Sequence, residues 1–324
     1  MSTCARKNIS SEDMKDHESV NKNNGSIQLK NPHIERMDQD YLYHLALGTA
    51  THDLVEMFKD VKFVCMGGAA KRMEDFAHYV MNEIDYKLPV GTTLLDLTQK
   101  SQRFSMYKVG PVLSVNHGIG VPSMGTLLHE VVKLMYHAKV VDPVFIRIGT
   151  SGGIGVEAGT VVITEDGVDA MLNPYYQLPI LGKMVQRPAK LDKKLTQELK
   201  AMVKQEDSFK VVCGKTMHAD DFYEGQGRLD GAFCDYTEKD KIDYLRRLQK
   251  AGVVNIEMEA SAFAAFTYHA GIRAAIVCVT FLDRLKGDQV TTPKTVLEEW
   301  QKRPQIIVAR YIKKSLQNKD FKGF

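Results

Sequence analysis

Cysteine is scarce and scattered in this chain. Cys4, Cys65, Cys213, Cys234 and Cys278 stand far apart, with no C-x-x-C among them. An odd, widely spaced set supports neither a disulfide framework nor a zinc knot. Cys65 and Cys278 lie inside apolar runs and read as small buried hydrophobes, so no cysteine receives a catalytic role. Long apolar stretches are missing too, and none reaches the ~18 residues of a membrane span. The N-terminus has neither the apolar core of a secretion signal nor the arginine-rich, acid-poor pattern of a transit peptide. A cytoplasmic protein with no membrane partner is therefore expected. No sign of charge dominates, since 43 Lys and Arg against 40 Asp and Glu leave a net charge of +3. That is too little for bulk attraction to nucleic acid. There is no Walker loop, and no G-x-G-x-x-G that follows a strand and opens a helix, which argues against a nicotinamide dehydrogenase.

What remains is an ordinary globular composition, 44% hydrophobic and 26% charged over 324 residues. Residues 1–30 are rich in Ser, Asn, Lys and acids, and a disordered tail is expected there. Asn31-Pro32 is a turn signal that opens a single domain over residues 31–324. Apolar runs at 61–66, 144–148, 160–164, 209–213, 253–258 and 274–281 predict strands. Residues 104–109 and 112–115 predict a hairpin turning at Gly110-Pro111. Helices are predicted from Ala69 and Pro122, and over 191–205, 238–251, 260–270, 293–300 and 305–316. The proline- and aromatic-bearing segment 167–188 reads mostly as loop. Alternating strands and helices predict one α/β domain, and the hairpin makes its sheet mixed.

Several strand ends carry groups suited to a ligand. Ile146-Arg147-Ile148 runs into Gly149-Thr150-Ser151-Gly152-Gly153, an arginine in an apolar strand before what reads as a glycine-rich turn. A buried guanidinium is costly unless it meets negative charge. Taken alone, the stretch serves equally as an anion site or as an arginine paired with a structural carboxylate. Gly67-Gly68 joins a strand to a helix with Arg72 in its first turn, where a cation opposes the helix dipole unless an anion sits beside it. Arg103 precedes a strand, and Asn116 to Gly120 is a second glycine-rich strand end. The loop from Asp221 to Arg228 offers an aromatic (Phe222), an amide (Gln226) and a guanidinium (Arg228), a set suited to a flat heterocycle. Glu259 ends a strand, where a carboxylate can hold hydroxyls. His44, among aromatics, reads as a satisfied half-buried side chain, and Asp283-Arg284 as an ion pair at a loop. Phosphate, sugar hydroxyls and base together suggest phosphorolysis of a nucleoside.

The segments Lys62 to Arg72, Met106 to Ser114, Ile146 to Gly155, Asp221 to Gly231 and Asn255 to Glu259 resemble the animal-type uridine phosphorylases of the nucleoside phosphorylase family. The likeness runs from about residue 31 to near the C-terminus. It implies a partly barrel-like mixed sheet flanked by helices, and a pentosyltransferase that exchanges uridine and phosphate for uracil and ribose 1-phosphate. It implies that Gly68, Arg72, Arg103, Arg147 and Thr150 hold phosphate. Thr150, Met258 and Glu259 hold the ribose, and His44 reaches it from a neighbouring subunit, so a homodimer is implied. Phe222 packs on uracil while Gln226 and Arg228 bind its edge. No metal and no cofactor beyond the co-substrate phosphate are implied. Asp283 falls near the proton-donating aspartate of the purine branch, which makes it a possible base contact together with Arg284. The chain departs from the family's pattern at Ala69-Ala70, where relatives often carry a proline, and at Ala260, where a serine is usual.

Overall fold

In the computed structural model, which describes residues 25–317, two short strands come first, β1 (Tyr41–Leu42) and β2 (Leu47–Gly48). Then follow α1 (Leu54–Phe58), β3 (Phe63–Gly67), α2 (Ala70–Glu83), β4 (Met106–Val109), β5 (Val112–Asn116) and α3 (Gly120–His137). The chain continues through β6 (Val144–Gly153), β7 (Val161–Val168), β8 (Tyr175–Ile180), β9 (Lys183–Pro188), α4 (Lys193–Lys200) and β10 (Val211–His218). It ends with α5 (Glu238–Lys250), β11 (Val253–Glu257), α6 (Ala260–His269), β12 (Arg273–Asp283) and α7 (Lys294–Gln317).

The main sheet has eight strands in the order β11-β10-β7-β12-β6-β3-β5-β4, and β11 also pairs with β6. That extra pairing closes β6, β12, β7, β10 and β11 into a small barrel, with β3, β5 and β4 extending from it. The sheet is mixed, because β4–β5, β7–β12 and β6–β11 are antiparallel and the other pairs parallel. Its central strands read as continuous apolar runs because both faces are covered. From β3, Phe63 and Cys65 pack toward Met73, Phe76 and Val80 of α2 and Ile307, Val308 and Ile312 of α7. Val64 and Met66 pack on the other side with Leu127, Leu128 and Val131 of α3 and Phe263 of α6. A smaller cluster joins Leu245 and Leu248 of α5 to Val253 and Ile256 of β11.

The structure departs from the sequence expectations in five places. Gly149 to Gly153 is not a turn but the second half of β6, paired with β12 as far as Gly153↔Asp283 and with β11 at Gly152↔Ile256. The glycines serve crowding: a Cβ on Gly153 would lie 2.7 Å from the Val156 carbonyl, and one on Gly152 would lie 2.9 Å from the Arg284 side chain. Residues 175–188 are a hairpin rather than loop, turning at Leu181-Gly182, both with positive φ. Its side chains are half-buried or exposed on both faces, so no period of two marks it. The last helix runs through Pro304 as one element, held by buried Ile307, Val308 and Ile312. The helix expected over 191–205 is only α4, N-capped by Asp192 through the Leu195 N–H (2.7 Å). Residues 1–24 of the expected disordered tail lie outside the described residues. Its last six are placed, with Ser26 bridging Val141 and Ile27 buried in the core, so the ordered chain begins before Asn31. Polar composition averaged over thirty residues concealed the Ile27-x-Leu29 pair.

Two carboxylates clamp residues 40–49 onto α3. Asp40 accepts from Lys133 Nζ (2.8 Å) and His137 Nε2 (2.8 Å). Glu130 accepts from the His44 and Leu45 backbones and from His44 Nδ1 (2.7 Å). Burial alone would raise the Asp40 pKa, but hydrogen bonds and charge from Lys133 and His137 hold it below the usual value. A depressed carboxyl contributes stability above its unfolded pKa and loses it as pH falls through the folded one. Asp40→Asn should therefore cost about 3 kcal/mol in urea unfolding at neutral pH, as for a broken buried pair. The deficit should shrink as pH falls below 4. An unchanged midpoint at neutral pH would show that the clamp contributes nothing.

Candidate active site

The parallel strands β3 and β5 end in two loops beside the middle of β6. Met66 pairs with Arg147 and Gly67 with Asn116. The loops after β3 and β5 are joined by His117 N–H to the Gly67 carbonyl (2.7 Å) and Gly118 N–H to the Gly68 carbonyl (3.1 Å). A Cβ on Gly67 would lie 2.9 Å from the Ile148 carbonyl, so the strand end admits no side chain. Next to it α2 begins with no side-chain cap and no acid in its first turn. Its leading N–H groups are thus left for an anion. The Ala69-Ala70 departure leaves this opening intact.

Arg72 and Arg147 converge on this corner. Arg72 donates through Nε to Gln301 of α7 (2.8 Å), while its two Nη groups bond no group among the described residues. Burial and the nearby positive charge of Arg147 pull its pKa down to about 10. Arg147 is buried at 3% exposure. Its Nη1 lies 2.6 Å from the Glu257 carboxylate as an ion pair, its Nη2 donates to Glu259, and its Nε has no partner among the described residues. Burial opposes its charge, but the two carboxylates outweigh that and raise its pKa. Gly149 makes the room: a Cβ there would lie 3.1 Å from Arg147 Nη1. Of the two readings the sequence left open for Arg147, the carboxylate pairing is present in the structure. Those carboxylates, however, belong to the same candidate site.

Each carboxylate is seated on a helix start. Glu259 accepts from the Gly120 N–H at the head of α3 (2.6 Å), and Glu257 from Glu259 N–H (3.1 Å) and Ala260 N–H (2.6 Å) at the head of α6. The Glu257 carboxylate makes that second cap with backbone donors, so no hydroxyl at position 260 is used in it. Burial and the neighbouring Glu259 push Glu257 upward despite Arg147. For Glu259, Arg147, His117 and the Gly120 N–H overcome burial and push it down. His117 is fully buried, with neither ring nitrogen in a hydrogen bond of standard geometry. Burial and Arg147 lower its pKa to about 3, so it is a neutral imidazole. Sequence reasoning missed Glu257 and His117. The signals were present, since Glu257 stands in an apolar strand two residues before Glu259 and His117 stands inside a flagged glycine-rich strand end.

A second group lies farther along β6. The 219–231 loop is fixed at one end by Ala219 N–H to the Glu257 carbonyl (3.0 Å) and turns at Gly227, with φ of 63°. Gln226 is buried, whereas Phe222 is 43% exposed with its ring 4.4 Å from the Arg228 guanidinium. Arg228 forks onto Asp230 through Nε and Nη2 (both 2.8 Å), and among the described residues its Nη1 bonds no group. Arg284 N–H bonds the Gly153 carbonyl (2.8 Å), which ties this group to the end of β6. Thr150 and Met258, both half-buried, stand on β6 and just after β11, beside the cluster around Arg147. The expected Asp283–Arg284 pair does not form. Arg284 binds Asp288 (2.9 Å), while Asp283 accepts from Gly155 N–H (3.0 Å) and Leu285 N–H (3.2 Å), closing the turn.

Two expected site residues stand elsewhere. His44 is held by Glu130 and lies against Phe104, with ring centroids 6.4 Å apart. Arg103, next in sequence to Phe104, is exposed. Within one chain neither touches the Arg147 cluster. Among the described residues no group of three His, Cys, Asp or Glu side chains is arranged for a metal, and no helix is long and apolar enough to cross a membrane.

Known proteins resemble this chain in sequence and fold. The model of the phosphorylase superfamily matches residues 62–313. Uridine phosphorylase 1 of Mus musculus is 53% identical over 290 residues, covering 90% of this chain and 93% of that relative. The crystal structure of uridine phosphorylase from Schistosoma mansoni in complex with uracil superposes with a TM-score of 0.82 at 39% identity, covering 88% of this chain and 98% of that one. A second Schistosoma mansoni relative, also 39% identical and covering 88% of this chain and 95% of its own length, is named an inactive uridine phosphorylase B. On the strength of the superfamily match and of 53% identity across nine-tenths of its length, this chain belongs to the phosphorylase superfamily, on its uridine phosphorylase branch.

Proposed function

We propose that the chain is a pentosyltransferase that cleaves uridine, and deoxyuridine, reversibly with inorganic phosphate, releasing uracil and the pentose 1-phosphate. One observation carries this most directly: the bare N-terminus of α2, the free Nη groups of Arg72 and the guanidinium of Arg147 point positive charge at one corner. Phosphate seats there, held by the Gly68 backbone, Arg72, Arg147 and Thr150. A relative named inactive means that kinship alone does not carry turnover, so the reading rests on the full set of groups being present.

The chemistry follows from where charge develops. A phosphate oxygen attacks the anomeric carbon as the bond to the uracil ring nitrogen breaks, and the bonding electrons leave with uracil. The sugar becomes cationic and the base anionic along the way. Arg228 Nη1 and the Gln226 amide meet the growing charge on the base, and Phe222 lies on its face. Glu259 leaves part of its contact with Arg147 to take the ribose hydroxyls beside Met258, and its negative charge favours the cationic sugar. Phosphate then replaces that carboxylate on the Arg147 fork, so the buried guanidinium is never without a counter-charge. Holding both reactants in line supplies much of the acceleration. No metal or cofactor takes part in these steps.

His44 and Arg103 enter from a second copy in this proposal. They share one surface through Phe104, and His44 is locked by Glu130. A homodimer lets that surface complete the neighbouring pocket, His44 at the ribose and Arg103 at the phosphate. The proposed setting is cytoplasmic pyrimidine salvage and catabolism. Asp283 is poorly placed for the purine reading, because its carboxylate already accepts two backbone N–H groups.

Purified protein should release uracil from uridine only when phosphate is present, with inosine inert. Release without phosphate would make it a nucleosidase, and turnover of inosine would return the base-reading role to Asp283. Gln226→Ala should cut kcat/KM for uridine by about a hundredfold, the value of two hydrogen bonds to a partly charged base. A neutral Gln226→Ala result would remove Gln226 from the base pocket.

A further inference from the structure

Among the described residues, the buried side-chain atoms that hydrogen-bond to nothing are both ring nitrogens of His117, Arg147 Nε, His218 Nδ1 and Ser261 Oγ. His218 has no part in the steps above. It is 3% exposed and leaves β10 in register with Glu257 of the adjacent parallel strand β11, so the two side chains stand on one face of the sheet. Its Nε2 meets Asp220 Oδ1 (3.0 Å), and that carboxylate is 75% exposed. The imidazole therefore reaches a surface acid through one nitrogen and keeps the other buried, with the Tyr176 ring edge-on beside it (5.7 Å between centroids).

Glu257 faces Arg147 of β6, His218 of β10, Cys278 of β12 and, beyond the end of its own strand, Glu259. Burial and Glu259 push its pKa up, to about 7, against the pull of Arg147. In the proposed function a phosphate dianion takes over Arg147. The two carboxylates and the dianion then carry negative charge in excess of Arg72, Arg147 and the second copy's Arg103. Unbalanced charge in a buried place is relieved by protonation. Glu259 stays ionised to hold the ribose hydroxyls, so the proton falls to Glu257.

We infer that Glu257 takes up a proton when phosphate binds and returns it when the pentose 1-phosphate leaves, with Asp220 and His218 as the proton's route. The inference rests on the proposed phosphorolysis. Asp220 takes a proton from water and passes it to His218 Nε2, while the proton on Nδ1 moves to the Glu257 carboxylate that phosphate has released from Arg147. The imidazole is neutral before and after, and the net change is a proton moved from solvent to Glu257. The same transfers in reverse restore the starting state. Asp220 and His218 touch no reacting atom, and Glu257 acts through Arg147, so all three are positioning residues that keep the buried charge balanced.

The test is proton uptake on phosphate binding. It is read by calorimetric titration of inorganic phosphate in buffers of different ionisation enthalpy, at a pH where free phosphate is already the dianion. Wild-type protein should take up a proton with each phosphate, whereas Glu257→Gln, which has the shape of the protonated acid, should bind phosphate with no uptake. Infrared difference spectra of the wild type should gain a protonated-carboxyl band with phosphate, which decides the point whether or not the variant folds. In stopped flow with a pH indicator, Asp220→Asn, a surface change, should slow the uptake about tenfold or more without altering its extent. A high concentration of a small buffer acid should restore the rate, a rescue that a merely structural role would not give. Phosphate binding with no proton uptake and no carboxyl band, or uptake that persists in a folded Glu257→Gln protein, overturns the inference. An unchanged rate in Asp220→Asn overturns the route. Failure of the wild-type protein to bind phosphate, or to cleave uridine with it, would instead overturn the function on which the inference rests.

Discussion

A guanidinium buried in the sheet, Arg147 between Glu257 and Glu259, is the constraint around which the rest is arranged. Removing such a group from water costs several kcal/mol unless charge and hydrogen bonds are supplied in place. Both carboxylates come from the end of β11, a strand distant in sequence, and each sits on the N-terminus of a helix. The cluster therefore requires that β11 lie against β6, that α3 and α6 start at the sheet's edge, and that Gly149 leave space beneath the arginine. Near this cluster sit Arg72, with two Nη groups unused, and a neutral His117 with no hydrogen bond of standard geometry. In the proposed function an arriving phosphate meets the Arg72 guanidinium and the bare helix start, and Glu259 gives way to it.

A second constraint governs the far end of the same strand. Gly152 lets the Arg284 side chain pack against β6, and Arg284 donates to the backbone and side-chain oxygens of Gln226. In the proposed function the two recognition sites lie near the two halves of β6, the phosphate corner by Arg147 and the base loop by Gly153. A Cβ on Gly152 would push Arg284 aside, and one on Gly153 would meet the Val156 and Leu282 carbonyls and part the strands there.

Much of this was legible in the sequence where local signals and tertiary demand agree. β3, β5, β7 and β12 are apolar runs buried on both sides, and α2 and α3 keep helical spacing, so their type could be read directly. Gly68, Arg72, Arg147 and the 221–228 loop stood out because glycine, arginine and amide in apolar surroundings are costly without a partner. Other features depended on distant residues. Nothing local marks Gly149 to Gly153 as strand, since the partner strands that make it so lie more than a hundred residues away. The hairpin at 175–188 is half exposed on both faces and carries no period. Pro304 reads as a break until the packing of α7 on α2 is known. Asp283 and Arg284 look like a pair because they are adjacent, yet one serves the Gly155 turn and the other the Asp288 and Gln226 network. Adjacent residues on an extended strand end point apart, and the pairing follows the side-chain direction.

The central claim is that the Arg147 cluster is a phosphate seat whose carboxylates give way to the substrate. Calorimetric titration of inorganic phosphate into wild-type protein, Arg72→Gln and Arg147→Lys tests it most directly, with circular dichroism confirming that each is folded. The account predicts saturable binding by the wild type and affinity lower by about a hundredfold in both variants, as expected for loss of a charged, forked contact. Phosphate affinity unchanged in the two folded variants would mean that Arg147 is only a structural partner of Glu257 and Glu259, and the account would fall.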